Sequence, residues 1–312
     1  MKEQDIIQTF FTRPSDDSSI ITGIGDDAAI LQTQSEHHLV ITTDTLVEGI
    51  HFFSQAPPFQ IGYKLMATNL SDIAAMGAQP KWATLNLNLP EINKNWLQEF
   101  SNGLFMCADK HQVALIGGDT THSPTLSMSV QLMGEVTAHH SMCRNSAKPE
   151  ENIYVTGVLG KAAEAMKKLL LHEGDHEVLS QQQILNLYQP SSRVELAMEL
   201  RHFVKTAIDI SDGLLHELEI ICHQSQTGAQ LFIDNIPVIN EELGLEALTF
   251  GDDYELLFTA NSTQDAEIIR LAKMFHCPIT TIGTITEASG IKLFQNNNEV
   301  AYPATTGYDH FQ

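Results

Sequence analysis

Along residues 82–90, "WATLNLNLP", apolar and polar positions alternate, which predicts a strand with one buried face. Residues 18–31 and 37–48 carry the same strand character in "SSIITGI", "AAILQT" and "HLVITTDTLV". Between them and residue 82, "QIGYKLMATNLSDIAAMGA" sets Leu65, Leu70, Ile73 and Met76 at helical spacing. "NWLQEFSNGLFMCADKH" predicts a second amphipathic helix, and "VALIGGDTT" and "LSMSVQLMGEV" two further strands. The polar, proline-containing "RNSAKPEENIYVTGVLG" then leads into a strand, and beyond Gly160 the pattern turns more helical. Helices are predicted over 161–172, 180–203, 212–227 and 264–276, with strands from "ALTFGDDYELLFTA", "TTIGTIT" and "IKLFQ". No internal repeat or low-complexity tract is present. The expectation is an α+β or mixed α/β chain in two domains, 1–148 and 149–312.

The chain has 312 residues, of which 43% are hydrophobic. That length buries a sizeable core, and no apolar run approaches the ~20 residues of a membrane span. The acidic, polar start "MKEQDIIQTFF" argues against a secretory signal. Cys107, Cys143, Cys222 and Cys277 form no C-x-x-C pair, so reduced thiols in the cytoplasm are expected and a zinc site is not. Seventeen Lys and Arg against 39 Asp and Glu leave a formal charge of −22. Such a surface repels nucleic acid and anionic lipid, so neither is an expected partner.

Most of those carboxylates solvate the surface. A subset sits instead at strand ends and glycine turns. "GIGDDAAI" fits G-x-G-x-x-A at Gly23, Gly25 and Ala28, yet Asp26 and Asp27 stand where an anionic pyrophosphate would lie. Only nine residues, 28–36, precede the next strand, fewer than the dozen a βαβ crossover needs. "TGVLGKAAE" likewise fails as a phosphate loop, with Val155 for the first Gly and Ala162 for Ser or Thr. The acidic series continues through "TTDTLVEGIHF", "NLSDIAAMGA", "GGDTT", "DISDGL" and "FGDDYELLF". Buried carboxylates are costly unless paired or metal-bound. Basic residues are scarce near these motifs, so Mg²⁺ with oxygen ligands, bridging to phosphates, is the economical partner. A single such motif is also an ordinary turn or N-cap. The EF-hand spacing is missing, which sets a calcium loop aside.

As a set and in this order, with a terminal "GYDHF", these motifs resemble the thiamine-monophosphate kinase family from about residue 20 onward. The resemblance implies the aminoimidazole-ribonucleotide-synthetase superfamily and its two-domain fold. There an N-terminal sheet closes a barrel across a homodimer and a C-terminal α/β domain completes the site. It implies ATP-dependent phosphorylation of thiamine monophosphate to thiamine diphosphate; the motif set shows no Ser–His pair or activated Cys, so direct in-line transfer with no covalent nucleophile is expected. Carried over residue by residue, Asp27, Thr42, Thr43, Asp44, Asp72, Asp119, Asp209 and Asp212 are expected to hold several Mg²⁺ ions. Gly118, Asp119, Arg144 and Ser211 are expected to contact ATP. His51, Asp252 and Tyr308 are expected at thiamine monophosphate; the plainer roles are a capping or core histidine and C-terminal packing. Where the family reads "GGEDYEL", this chain reads "FGDDYEL", with Phe250 for Gly and Asp252 for Glu. The alternatives are another synthetase of the superfamily, a multi-metal phosphatase or nuclease, and a non-catalytic acidic metal-binding module.

Overall fold

The structure, a computed structural model, describes residues 3–14, 16–22, 24 and 29–308. The expected Asp27, with Gly23, Gly25, Asp26 and Ala28, lies outside the described residues. A short helix α1 (Glu3–Ile6) precedes a small ribbon of β1 (Ile20–Thr22) and β2 (Ile30–Leu31). β3 (His37–Val47), α2 (Pro58–Ala75), β4 (Gln79–Leu89), α3 (Lys94–Lys110), β5 (Ala114–His122) and β6 (Ser127–Thr137) follow. Their strands form a four-stranded sheet in the order β3-β6-β4-β5, parallel only between β4 and β5. One face, with Ala83, Leu85, Leu87 and Leu89 buried, accounts for the alternation read in "WATLNLNLP". Among the described residues β3 and β5 are the two edges, so the sheet of a single chain is open and does not close a barrel.

The second half comprises β7 (Asn152–Thr156), α4 (Lys161–Leu171), α5 (Gln181–Tyr188), α6 (Val194–Leu200), β8 (Thr206–Asp209), α7 (Leu214–Ser225) and β9 (Gly228–Phe232). It ends with α8 (Glu246–Thr249), β10 (Leu256–Ala260), α9 (Asp265–Met274), β11 (Ile279–Thr286), β12 (Gly290–Gln295) and β13 (Asn298–Val300). These strands order as β13-β12-β9-β11-β7-β10-β8, mostly antiparallel. The architecture is α+β, with one sheet drawn from residues 37–137 and the other from 152–300. No helix among the described residues is long and apolar enough to cross a membrane.

Local chemistry places the boundaries. Asn93 caps α3 by accepting from the Asn95 and Trp96 amides, at 3.1 Å each. The helix expected over 180–203 is instead two. Ser180 and Gln183 form a capping box at the start of α5, and Pro190, which has no amide hydrogen, falls in the break before α6. In the strand expected over "ALTFGDDYELLFTA", only Leu256–Ala260 is extended, because α8 and a tight loop take the first part.

α2 is the element on which both sheets depend. It packs on β3 and β6 on one side and on β8 and α6 on the other, and is buried along nearly its whole length. It crosses α3 so closely that a Cβ at Gly62 would stand 2.1 Å from the Phe100 carbonyl oxygen. One at Gly103 would stand 1.9 Å from that of Phe59. Glycines at the crossing let the backbones touch, and α2 is thereby fixed between the halves.

Candidate functional site

Acids from both halves of the chain converge where α2 meets β3 and β8. Alternation along β3 turns Thr42 and Asp44 toward α2. The Thr42 hydroxyl donates to Asp72 Oδ2 at 2.5 Å, and the Asp44 amide donates to Asn69 Oδ1 at 3.1 Å. Asp209 ends β8 and is 3% exposed. Burial, then the charge of Asp72, raises the Asp44 carboxyl from 3.8 to about 6. The same two causes, in the same order, push Asp209 well above the usual carboxylate range. Burial also raises Asp72, held partly down by the Thr42 hydrogen bond and the Arg144 charge. These carboxylates repel one another and lack a full complement of protein cations. Their donors are all oxygen, which suits a hard divalent cation. Among the described residues, no three His, Cys, Asp or Glu side chains already close on one point.

Beside the acids lies a cleft of about 340 Å³ lined by Thr42, Asp72, Met76, Arg144, Asn145 and Gln224. Arg144 shares this cleft with Asp72. Past β8, the Ser211 hydroxyl donates to Glu217 Oε1 at 3.3 Å and the Asp212 amide to the same oxygen at 3.2 Å. Glu217, 3% exposed, is raised chiefly by burial. It holds the Ser211–Asp212 turn, a role the motifs did not reveal. The Tyr308 amide donates to the Asp212 carbonyl at 3.0 Å, so the C-terminal segment returns to the acidic turn, with the Tyr308 side chain 49% exposed.

The "FGDDYEL" loop lies against that turn. Gly251 has φ +82°, and a Cβ there would meet the Ser211 carbonyl oxygen at 2.2 Å, so this position demands glycine. Phe250 has φ −79°, an ordinary helical value, which is why a side chain is accepted where the family has Gly. Asp252 has φ +62°, a left-handed conformation that Asp tolerates better than Glu. Bases do pair with this loop, contrary to the expectation from their scarcity in sequence. Lys64 Nζ lies 2.5 Å from Asp252 Oδ2. Arg193 forks onto Glu255 with Nε–Oε2 2.7 Å and Nη2–Oε1 2.6 Å. Asp253 caps α4 by accepting from the Gly160 and Lys161 amides at 2.9 and 3.1 Å. Nearest neighbours in space are distant in sequence here, so no local pattern announces them.

The first part of the chain, residues 25–136, matches the family model "AIR synthase related protein, N-terminal domain". Residues 148–296 match "AIR synthase related protein, C-terminal domain". The chain is 37% identical over 320 residues to the thiamine-monophosphate kinase of Buchnera aphidicola, covering 99% of this chain and 98% of that protein. The chain belongs to the thiamine-monophosphate kinase family. Its fold is similar to the crystal structure of thiamine-monophosphate kinase from Stenotrophomonas maltophilia K279a (TM-score 0.83, 40% identity, 91% of this chain and 93% of that one). It is also similar to AaThiL complexed with AMPPCP and TMP (TM-score 0.77, 27% identity, 90% and 89%).

Within this family member, three expected positions stand apart from the acids, Thr43, Gly118 and Asp119. The Thr43 hydroxyl, on the other face of β3 from Asp44, donates to the Val130 carbonyl at 3.1 Å. Gly118 and Asp119 lie on β5, the far edge. Asp44, Val130, Leu85 and Gly118 form one row across the sheet, so the edges are three strand spacings apart, roughly 14 Å. A Cβ at Gly118 would meet the Leu85 carbonyl oxygen at 1.8 Å, so strand packing alone demands glycine. His51 Nδ1 accepts from the Val47 amide at 3.1 Å and closes the turn after β3. One arrangement the motifs did not reveal is a Ser–His–Glu series: Ser192 Oγ to His111 Nε2 at 3.3 Å and His111 Nδ1 to Glu195 Oε1 at 3.0 Å. Ser192 and His111 are 8% and 9% exposed, so the series ties α3 to α6 and is closed to a substrate. Burial likewise pushes the Cys107 and Cys222 thiols up to about 12 and about 11, far from a reactive thiolate.

Proposed function

We propose that the acidic cleft phosphorylates thiamine monophosphate to thiamine diphosphate at the expense of ATP, by direct in-line transfer. The observation that carries this reading is the gathering of Asp44, Asp72 and Asp209 where α2 meets β3 and β8, beside a cleft lined by Asp72 and Arg144, in a chain alike along its length to such a kinase. The relative solved with AMPPCP and TMP supports the same pair of substrates. Asp44, Asp72, Asp209 and Asp212, with Thr42, Asp27 and the outlying Thr43 and Asp119, are the proposed holders of several Mg²⁺ ions. Bound Mg²⁺ supplies positive charge that neutralises the phosphates of two mutually repelling anions. Arg144 contributes a fixed cation at the ATP phosphates, and Ser211 with Gly118 completes the nucleotide contacts. The attacking group is a phosphate oxygen, largely deprotonated near neutral pH, so the chain need not supply a strong base. Positioning is what remains, and Asp252, His51 and Tyr308 are assigned to the thiazolium and aminopyrimidine end. Incubation with ATP, Mg²⁺ and thiamine monophosphate should give thiamine diphosphate by mass. Phosphate release from ATP without acceptor would instead mark a phosphatase.

We further propose a homodimer in the cytoplasm, with the domain boundary near residue 148. Two edges without partner strands among the described residues, and an outward row of Thr45, Ser129, Asn86 and Asp119, support pairing of two such sheets into a barrel. Thr45 and Ser129 already join across this face at 2.7 Å. Pairing would bring a partner's β5 edge toward β3 and so accounts for the distance between Asp119 and Asp44. Light scattering at micromolar concentration should give twice the chain mass of 34.6 kDa. A monomer at that concentration would remove the dimer.

A further inference from the structure

We propose that Lys64 is a positioning residue of the thiamine-monophosphate site, fixing Asp252 for the acceptor and keeping it out of the metal cluster; this rests on the functional reading above. Lys64, Thr68 and Asp72 succeed one another four residues apart, so α2 presents them along one face. At one end of that face Asp72 joins the acids. At the other, the Lys64 ammonium, 3% exposed, meets Asp252 Oδ2 at 2.5 Å, and it lies 5.7 Å above the Tyr188 ring. A lysine is rarely buried to this degree without a task for its charge.

The geometry gives that task content. Asp252 shares its surroundings with the cluster: two residues on, buried Tyr254 donates its amide to the carbonyl of Ile210, the neighbour of Asp209, at 2.9 Å. An unpaired Asp252 would therefore be one more anion competing for the cations that Asp44 and Asp209 attract. The Lys64 charge assigns it elsewhere. The backbone adds a second need, since Asp252 sits at φ +62° with its amide donating to the Ser211 carbonyl at 2.7 Å. A left-handed Asp, one methylene shorter than the family's Glu, reaches little by itself, and a rigid helix brings the cation to it. The pair also spans the two halves, from α2 to the loop before β10, so it sets the acceptor carboxylate against the same helix that carries Asp72.

Lys64→Met should raise KM for thiamine monophosphate at least tenfold, with kcat and KM for ATP each changing less than about threefold. Lys64→Arg should recover most of the loss. Calorimetric titration of thiamine monophosphate into metal-free protein should show the same weakening without turnover. Equal falls in ATP and thiamine-monophosphate kinetics, tracking a lowered melting temperature and unrescued by Arg, would make Lys64 merely structural and overturn the proposal. So would unchanged kinetics in a folded Met variant. Failure of the functional reading looks different: the wild type itself would make no thiamine diphosphate. In that case the calorimetric comparison still decides on Lys64, and a wild type that does not bind thiamine monophosphate at all removes both.

Discussion

Asp72→Asn is expected to lower turnover by on the order of 10³ while leaving the metal-free protein folded and, at neutral pH, no less stable than the parent. Asp44→Asn should behave alike. The activity loss follows if the carboxylate charge is what holds cations at the phosphates, since amide and carboxylate have nearly the same shape. The stability claim follows from the sign of the shifts. Asp44 is raised from 3.8 to about 6, so between those values the folded chain keeps a proton that the unfolded chain has lost. Stability of the metal-free protein therefore falls as pH rises from about 4 to 6, and the penalty is complete above that window. For Asp44 it amounts to roughly 3 kcal/mol. Asp72 and Asp209 act in the same direction. Removing the Asp72 charge relieves its two neighbours, so the variant's advantage in melting temperature should be present at pH 7.5 and vanish near pH 4.5. Mg²⁺ should raise the parent's melting temperature more than the variant's. Melts in chelator across that pH range, with initial rates alongside, read both claims. A variant retaining a tenth of the parent's activity with unchanged Mg²⁺ dependence would contradict the assignment.

What the sequence disclosed follows from how local each signal is. "WATLNLNLP" announced β4 because alternation needs only one strand and one buried face. "NLSDIAAMGA" announced both its helix and its acid, since Asp72 lies at the end of an apolar stripe. β8 was hidden, because Thr206–Asp209 is only four residues, buried on all of them, and shows no alternation. β9 and β13 were missed for similar brevity. The break between α5 and α6 was legible in Pro190 but was outweighed by helical spacing on both sides. The partners of the acids were not legible at all. Lys64 and Asp252 are 188 residues apart, and Arg193 and Glu255 are 62 apart, so scarcity of nearby bases misjudged both pairs. The converse also holds: Thr43 and Asp44 are adjacent in the motif, yet strand alternation sends their side chains to opposite faces. Asp119 reads as one of the series and yet lies across the sheet. A motif names which residues serve a function, while topology decides which of them one chain can bring together.

The acid in that topology that depends most on a distant base is Glu255, and Arg193→Met is expected to cost the protein about 3–5 kcal/mol. Glu255 is 3% exposed and takes both oxygens' worth of the Arg193 fork, at 2.7 and 2.6 Å, with the Thr156 hydroxyl donating at 2.6 Å. Lys161 stands farther off, at 3.6 Å. A Cβ at Gly157 would lie 1.8 Å from Glu255 Oε1, so the backbone of β7's end has been cleared for this carboxylate. Methionine fills much of the arginine's volume but leaves a buried charge with too few donors. Next to it, Asp253 is already pushed up to about 7, first by burial and then by the charges of Glu255 and Asp252. Losing Arg193 removes the strongest countercharge in the group. At about 2–4 °C per kcal/mol for a chain of this size, the melting temperature should drop by roughly 10 °C. Arg193→Met combined with Glu255→Gln should recover a large part of that drop, because the glutamine carries no charge to leave unpaired and still accepts from Thr156. If the single variant melts within about 2 °C of the parent, the fork contributes no more than an exposed ion pair. If the double variant melts lower than the single one, the cost lies in lost packing around Arg193 and not in the stranded carboxylate.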